Sequence, residues 1–208
     1  MTDAARQLTG TDGRPLAARG QRTRARLLET AEEVFSELGY HEASIVKITE
    51  AAGVAQGTFY LYFSGKAEIF DELVRDLNRR VRRAMSEAAG QGETRIAAEL
   101  LGFHAFFRFT ADHPALYRII RQAEFVSPST LQYHYDRLRE GYVAALRRAM
   151  DVGEIAQRDP EVLAWALMGI GELIGMRYIL WAGRTDVPDD VMDEIESILH
   201  SLLAPREA

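Results

Sequence analysis

Gln56, Thr58, Tyr60 and Tyr62 fall within seven residues, and each ends in a hydrogen-bonding group without negative charge. On one face of a helix, such tips can meet base edges and phosphate oxygens. A spacing of four puts Gln56 and Tyr60 on one helical face, with Thr58 and Tyr62 beside it. Phe59 and Phe63 share another face, suited to pack on Ile45, Ile48, Ala52 and Val54. Gly57 has no side chain, which lets a backbone approach DNA closely. Lys66 opens the following helix, where backbone N–H groups and the helix dipole also favour a phosphate.

Other chemistries lack their residues. His41, His104, His113, His134 and His200 lie far apart, and none sits in a metal-binding or bundle-carboxylate pattern. No nucleophile elbow or phosphate-binding loop occurs. The segment GIGELIG at 169–175 has the wrong spacing for a dinucleotide fingerprint. Its Gly171 and Gly175 instead share a helix face, which allows a neighbouring helix to come close. No metal, cofactor or enzyme activity is expected. The chain has no cysteine, so disulfides and thiol catalysis are excluded. The N-terminus carries no apolar signal region, and a cytoplasmic location is expected. The apolar run 162–183 contains Glu172 and Arg177, and reads as a buried helix rather than a membrane span.

The elements that must position the polar set are helical, because hydrophobic spacing is near 3.6 throughout. Leu27, Ala31, Val34, Phe35 and Leu38 stripe a first helix that Gly39 ends, with Tyr40 folding back. Ser44 caps a second helix running to Ala52. Gly53 permits a sharp turn, and a third helix covers about Gln56–Phe63. Gly65 opens a long fourth helix to GQG at 90–92. Five more follow, at about 94–112, 115–125, 131–145, 160–182 and 187–202, with SPS at 127–129 as a loop. The fold class is all-α with about nine helices. Residues 1–18 are read as a disordered arm, 19–65 as a three-helix DNA-binding domain and 66–208 as a helical effector-binding and dimerisation domain.

Charge agrees with that division. The 208 residues carry a formal net charge of −6, but the first 66 hold eight basic and eight acidic side chains. From Arg14 to Leu28 there are five arginines and no acid. A local basic patch on an acidic protein can approach a polyanion one face first.

The segment ITEAAGVAQGTFYLYFSGKAEIF, residues 48–70, resembles the DNA-binding signature of the tetracycline-repressor (TetR) family. With its flanking helices the resemblance covers about residues 22–70. It implies an all-helical homodimer that binds inverted-repeat operators and is released by a small molecule held in the C-terminal domain. By position, it implies Gln56, Gly57, Thr58, Tyr60 and Tyr62 as recognition-helix contacts and Ser44, Lys47 and Lys66 as phosphate anchors. Ala55, Thr49 and Gly65 depart from the family pattern, and none belongs to the groove-facing set.

The remaining two thirds resemble the family only in helix count, so a ligand site must come from residues. His104, Phe107, Tyr117, Arg121, Tyr135, Trp165, Met168 and Glu172 are the candidates, an apolar and aromatic set with a few polar groups. Arg121 is the preferred anchor for an anionic group. An acyl chain, a steroid-like ring system or an aromatic acid would fit, and helix 4 is the expected route from ligand to DNA. Leu163, Ala164, Leu167, Ile170, Gly171, Ile174 and Gly175, with Val187, Val191, Ile195, Ile198 and Leu202, suggest a four-helix dimer interface. The function read from sequence is a ligand-responsive DNA-binding repressor. The alternatives are a helical enzyme, which lacks a catalytic cluster, and an architectural DNA binder, which has no need of a large acidic domain.

Overall fold

The computed structural model describes residues 8–205. Among them, nine α-helices occur and no strand, only an isolated bridge between Thr9 and Pro15. They are α1 (Ala18–Glu42), α2 (Ile45–Ala51), α3 (Gln56–Phe59), α4 (Lys66–Ala89), α5 (Arg95–Asp112), α6 (Ala115–Val126), α7 (Pro128–Asp151), α8 (Pro160–Gly175) and α9 (Asp189–Leu203). A π-helical turn, Met176–Trp181, continues α8.

Most boundaries follow from local chemistry. Gly39 interrupts α1 with φ at +75°, a left-handed conformation that glycine adopts without steric cost. Ser44 caps α2, its side chain accepting from Lys47 N–H. Thr94 and Asp159 cap α5 and α8 in the same way. The loop expected at 127–129 is reduced to Ser127, because Pro128 occupies the first position of α7, where its missing N–H costs nothing.

The chain forms two compact units that differ from the division read in the sequence. Among the described residues, one runs to Asp76 and includes Arg118–Leu131, and the other comprises Leu77–Tyr117 and the chain from Gln132 onward. In the first, Leu27, Ala31, Phe35, Ile48, Phe59, Phe63, Phe70 and Ile119 are buried. Tyr40 stacks on Phe35 with ring centres 5.8 Å apart, the fold-back expected after Gly39. Leu38, expected in the stripe, is 42% exposed. Residues 1–7 of the expected disordered arm lie outside the described residues. Residues 8–17 differ from that expectation, forming a hydrogen-bonded turn.

In the second unit, α5 packs against α8 and α9 around Phe103, Phe107, Leu146, Leu167, Ile195 and Leu199. A Cβ on Gly171 would stand 3.0 Å from Phe103, and one on Gly175 would collide with the Tyr117 hydroxyl. These glycines serve close helix packing, as their spacing indicates. Pro160–Trp181 is long and apolar enough to cross a membrane, but it packs on α5 with Leu163, Ala164, Leu167 and Gly171 buried.

Candidate nucleic-acid interface and ligand site

Phe59 and Phe63 are fully buried, with ring centres 5.5 Å apart. Burying a side chain of that size contributes about 1.5–3 kcal/mol. This fixes the rotation of α3 and turns its polar positions outward. Gln56 and Gly57 are exposed, Thr58 and Tyr62 are half-buried and Tyr60 is 46% exposed. No acidic residue occurs from Ala51 to Ala67. A Cβ on Gly57 would meet nothing within 4 Å. Glycine costs about 1 kcal/mol relative to alanine within a helix, and neither packing nor backbone conformation requires it here.

The recognition helix is shorter than the sequence suggests. Only Gln56–Phe59 is α-helical, and turns carry the chain to Phe63. Ala55 provides no side-chain cap. The Tyr60 carbonyl accepts from the Thr11 hydroxyl at 2.8 Å, and the Leu61 carbonyl from Thr11 N–H at 3.0 Å. Sequence reasoning missed this partner, 49 residues away from Tyr60.

The implied phosphate anchors divide. Ser44 Oγ holds Lys47 N–H at 3.2 Å, and Lys47 Nζ donates to Glu42 O at 2.9 Å. Lys47 is exposed and Ser44 half-buried. Lys66, the third implied anchor, has partners within the fold. Its Nζ donates to the carbonyls of Tyr40 at 2.7 Å, Ala43 at 2.9 Å and His41 at 3.4 Å. The ammonium also stands 4.4 Å from the centre of the Tyr40 ring. An ammonium has three donors, and these are spent inside the fold. Lys66 therefore closes the corner between α1 and α2.

In the second unit the structure brings together five of the eight ligand candidates. The Tyr135 hydroxyl donates to Glu172 at 2.9 Å, and its ring lies 6.0 Å from that of Trp165. Buried Phe107 and Tyr117 both approach Gly175. The Tyr117 hydroxyl is buried, and among the described residues it has no hydrogen-bond partner of good geometry. Burial is the main cause that pushes its phenol above the ordinary range; the Thr110 hydroxyl opposes the shift, and Glu172 and Tyr135 add to it. The Thr110 hydroxyl donates to Phe107 O at 2.9 Å. Met168 is buried on α8, His104 is exposed on α5, and Arg121 is exposed in the first unit. His104 and Arg121 are thus not gathered with the others in the second unit.

A separate cavity of about 290 Å³ lies between α4, α5 and α7. Its charged lining is Arg82, Arg95, Arg137, Arg148 and Glu99, and none of the eight candidates lines it. Arg95 Nε and Glu99 Oε1 stand 3.1 Å apart without an aligned hydrogen bond. Burial outweighs Arg95 and pushes the Glu99 carboxyl up to about 7. Among the described residues the Arg137 Nε is buried without a hydrogen-bond partner, while its Nη1 donates to Glu140. Beside this cluster, Asn78 donates to the His134 carbonyl at 3.0 Å, and Arg82 Nε donates to Asn78 Oδ1 at 2.9 Å. Burial, assisted by Arg82, lowers the His134 pKa to about 4, keeping the ring neutral. No group of side chains able to hold a metal occurs among the described residues.

Residues 27–73 match the family of bacterial regulatory proteins called tetR. The HTH-type transcriptional regulator YdgC of Bacillus subtilis (strain 168) is 30% identical over 198 residues, covering 92% of this chain and 97% of that protein. The fatty acid degradation regulator FadR from Bacillus halodurans has a TM-score of 0.77 at 18% identity, over 89% of this chain and 96% of that one. The transcriptional regulator FadR from Bacillus subtilis, solved in complex with stearoyl-CoA, has a TM-score of 0.73 at 22% identity, over 84% of this chain and 96% of that one.

Proposed function

The chain belongs to the tetR family of bacterial regulatory proteins and is a DNA-binding transcriptional regulator; from that premise we propose that it is a homodimeric repressor, released from an inverted-repeat operator by an amphipathic effector. The observation that carries the DNA-binding role is the outward face of α3, with exposed Gln56, Gly57 and Tyr60 held by the buried Phe59–Phe63 pair. Gln56, Thr58 and Tyr60 read base edges, while Ser44, Lys47 and Tyr62 meet the backbone. Lys66 acts by supporting the corner beside them.

The effector's apolar part is suited to Phe107, Tyr117, Tyr135, Trp165 and Met168, with the Tyr117 hydroxyl and Glu172 as polar groups. An anionic group finds guanidinium partners in the arginine-lined cavity, a better anchor than Arg121. A transcriptional regulator of the same fold, solved with stearoyl-CoA, makes acyl-CoAs the first class to test. Release requires the effector to bind the DNA-free form better than the DNA-bound one. Helix α4, which begins at Lys66 and reaches Arg82 and Met85 in the cavity wall, is the route.

Gel shift with DNA from upstream of the chain's own gene tests this reading. Retardation should weaken steeply with salt, because phosphate contacts release counterions. Gln56→Ala should change preference at one operator position by about 1–3 kcal/mol. An active acyl-CoA, fatty acid, steroid or aromatic acid should reduce affinity roughly 5- to 150-fold. Equal losses on operator and random DNA for Gln56→Ala would refute base reading. A ligand that raises thermal stability yet leaves operator affinity unchanged would refute the switch for that ligand.

A further inference from the structure

The turn Leu8–Leu16 is built onto the far end of the recognition helix. Besides the two Thr11 hydrogen bonds, Gly10 lies so close that a Cβ there would stand 3.0 Å from Leu61 O and from Asp12 Oδ1. A side chain there would need its neighbours to give by a few tenths of an ångström, so glycine suits that approach. The turn closes on itself through Gly10 N–H to Arg14 O at 2.9 Å and Leu16 N–H to Leu8 O at 2.8 Å. Gly13, with φ at +76°, supplies the left-handed residue at its tip.

Arg14 projects from this turn with its side chain 87% exposed. Its ion pair with Asp12, at 3.7 Å, is a loose surface contact. Arg19, Arg22 and Arg26 continue the positive charge along exposed positions of α1. The Tyr60 and Leu61 residues that hold the turn are 46% and 59% exposed, so water could satisfy their carbonyls. Docking a turn there has a different result: it ties a guanidinium to the residues that face the bases. A cation fixed in that frame arrives at DNA in register with the reading helix.

We propose that Leu8–Leu16 is a second DNA-contacting element, docked on the recognition helix so that Arg14 meets the duplex beside the groove that α3 enters. The proposal rests on the DNA-binding reading above. Its ligand chemistry is an anionic surface, a backbone phosphate or the negative potential of the minor groove.

The test is operator affinity of the full chain over a range of salt concentrations, for wild type, Arg14→Ala, Thr11→Val and the double variant. Arg14→Ala should weaken binding roughly 5- to 10-fold and lower the salt slope by about 1. Thr11→Val should remove the same contribution, and the double variant should lose little more, because Arg14 acts only when docked. Operators flanked by A·T or G·C runs separate the two sources. A loss confined to A·T flanks identifies the narrow minor groove, and an equal loss identifies a phosphate. Wild-type affinity and slope in Arg14→Ala would overturn the proposal, while a Gln56→Ala effect would leave base reading by α3 standing. A wild-type chain that retards no duplex would overturn both.

Discussion

Glu99 illustrates how far one residue can depart from its ordinary chemistry. It is 3% exposed, pairs with Arg95 and lines the cavity with Tyr142 and the other arginines. Its carboxyl keeps its proton up to about 7 in the folded chain, against an ordinary value of 4.5. Below 4.5 the proton is bound in both states, and the associated stability is fully present. As pH rises from 4.5 the unfolded chain releases the proton while the folded chain retains it, so stability falls and is lost through pH 7. The full span is on the order of 3 kcal/mol. Glu99→Gln should therefore gain stability relative to wild type at pH 8, and much less at pH 5, in urea unfolding. An identical difference at both values would exclude Glu99 as the titrating group. His134 acts in the opposite sense: held neutral to about 4, it costs stability as pH falls from 6.5. That contribution is common to both proteins and cancels in the comparison.

At the scale of elements, the corner between α1 and α2 depends on the first residue of α4. Lys66 satisfies three carbonyls there that follow the Gly39 break. Lys66→Met should destabilise the fold by about 1.5–3 kcal/mol, the range for hydrogen bonds from charged donors. It should lower operator affinity without flattening the salt dependence, as measured by thermal unfolding and salt titration together. A flattened slope with unchanged stability would restore the phosphate role. Sequence reasoning reached the Gly39 terminus, the Ser44 cap and the Gly53 turn because each is decided within a few residues. It did not reach the Lys66 carbonyls or the Thr11 contact, which depend on distant chain segments. The arginine cavity was hidden for the same reason, since Arg82, Arg95, Arg137 and Arg148 come from three helices and each reads alone as solvated surface. The ligand candidates on α5–α8 were legible as aromatic content, but the approach of Phe107 and Tyr117 to Gly175, and of Tyr135 to Trp165 and Glu172, required the packed structure.

For the whole molecule, most of the α8 residues expected to form a dimer interface are spent within the chain itself. Leu163, Ala164, Leu167, Gly171 and Gly175 are buried in the chain's own core, as are Val187 and Ile195 on and before α9. A helix that is apolar all round gives no polar face by which to orient it. The apolar side left open carries Val162, 67% exposed, and Leu173, 62%. Pairing of this face with a second copy is the dimer we propose. Leu173→Arg should give monomers by sedimentation at micromolar concentration. Affinity for an inverted repeat should then fall by about 10²–10⁴, since the second head no longer binds intramolecularly. A Leu173→Arg dimer with wild-type affinity would place the interface elsewhere.

The boundaries between the two units fall at 76/77, 117/118 and 131/132, and each lies inside a helix, α4, α6 or α7. That arrangement limits how freely the reading head can be exchanged between regulators. A chimera spliced at the start of α4 would give the transplanted head a foreign segment in place of Arg118–Leu131. It would lose buried Ile119, Ile120 and Ala123, and the Gln122 side chain that accepts from Tyr40 N–H. Recombination that preserves function must carry this piece of α6 together with the first seventy-six residues, so the unit of inheritance is discontinuous along the gene.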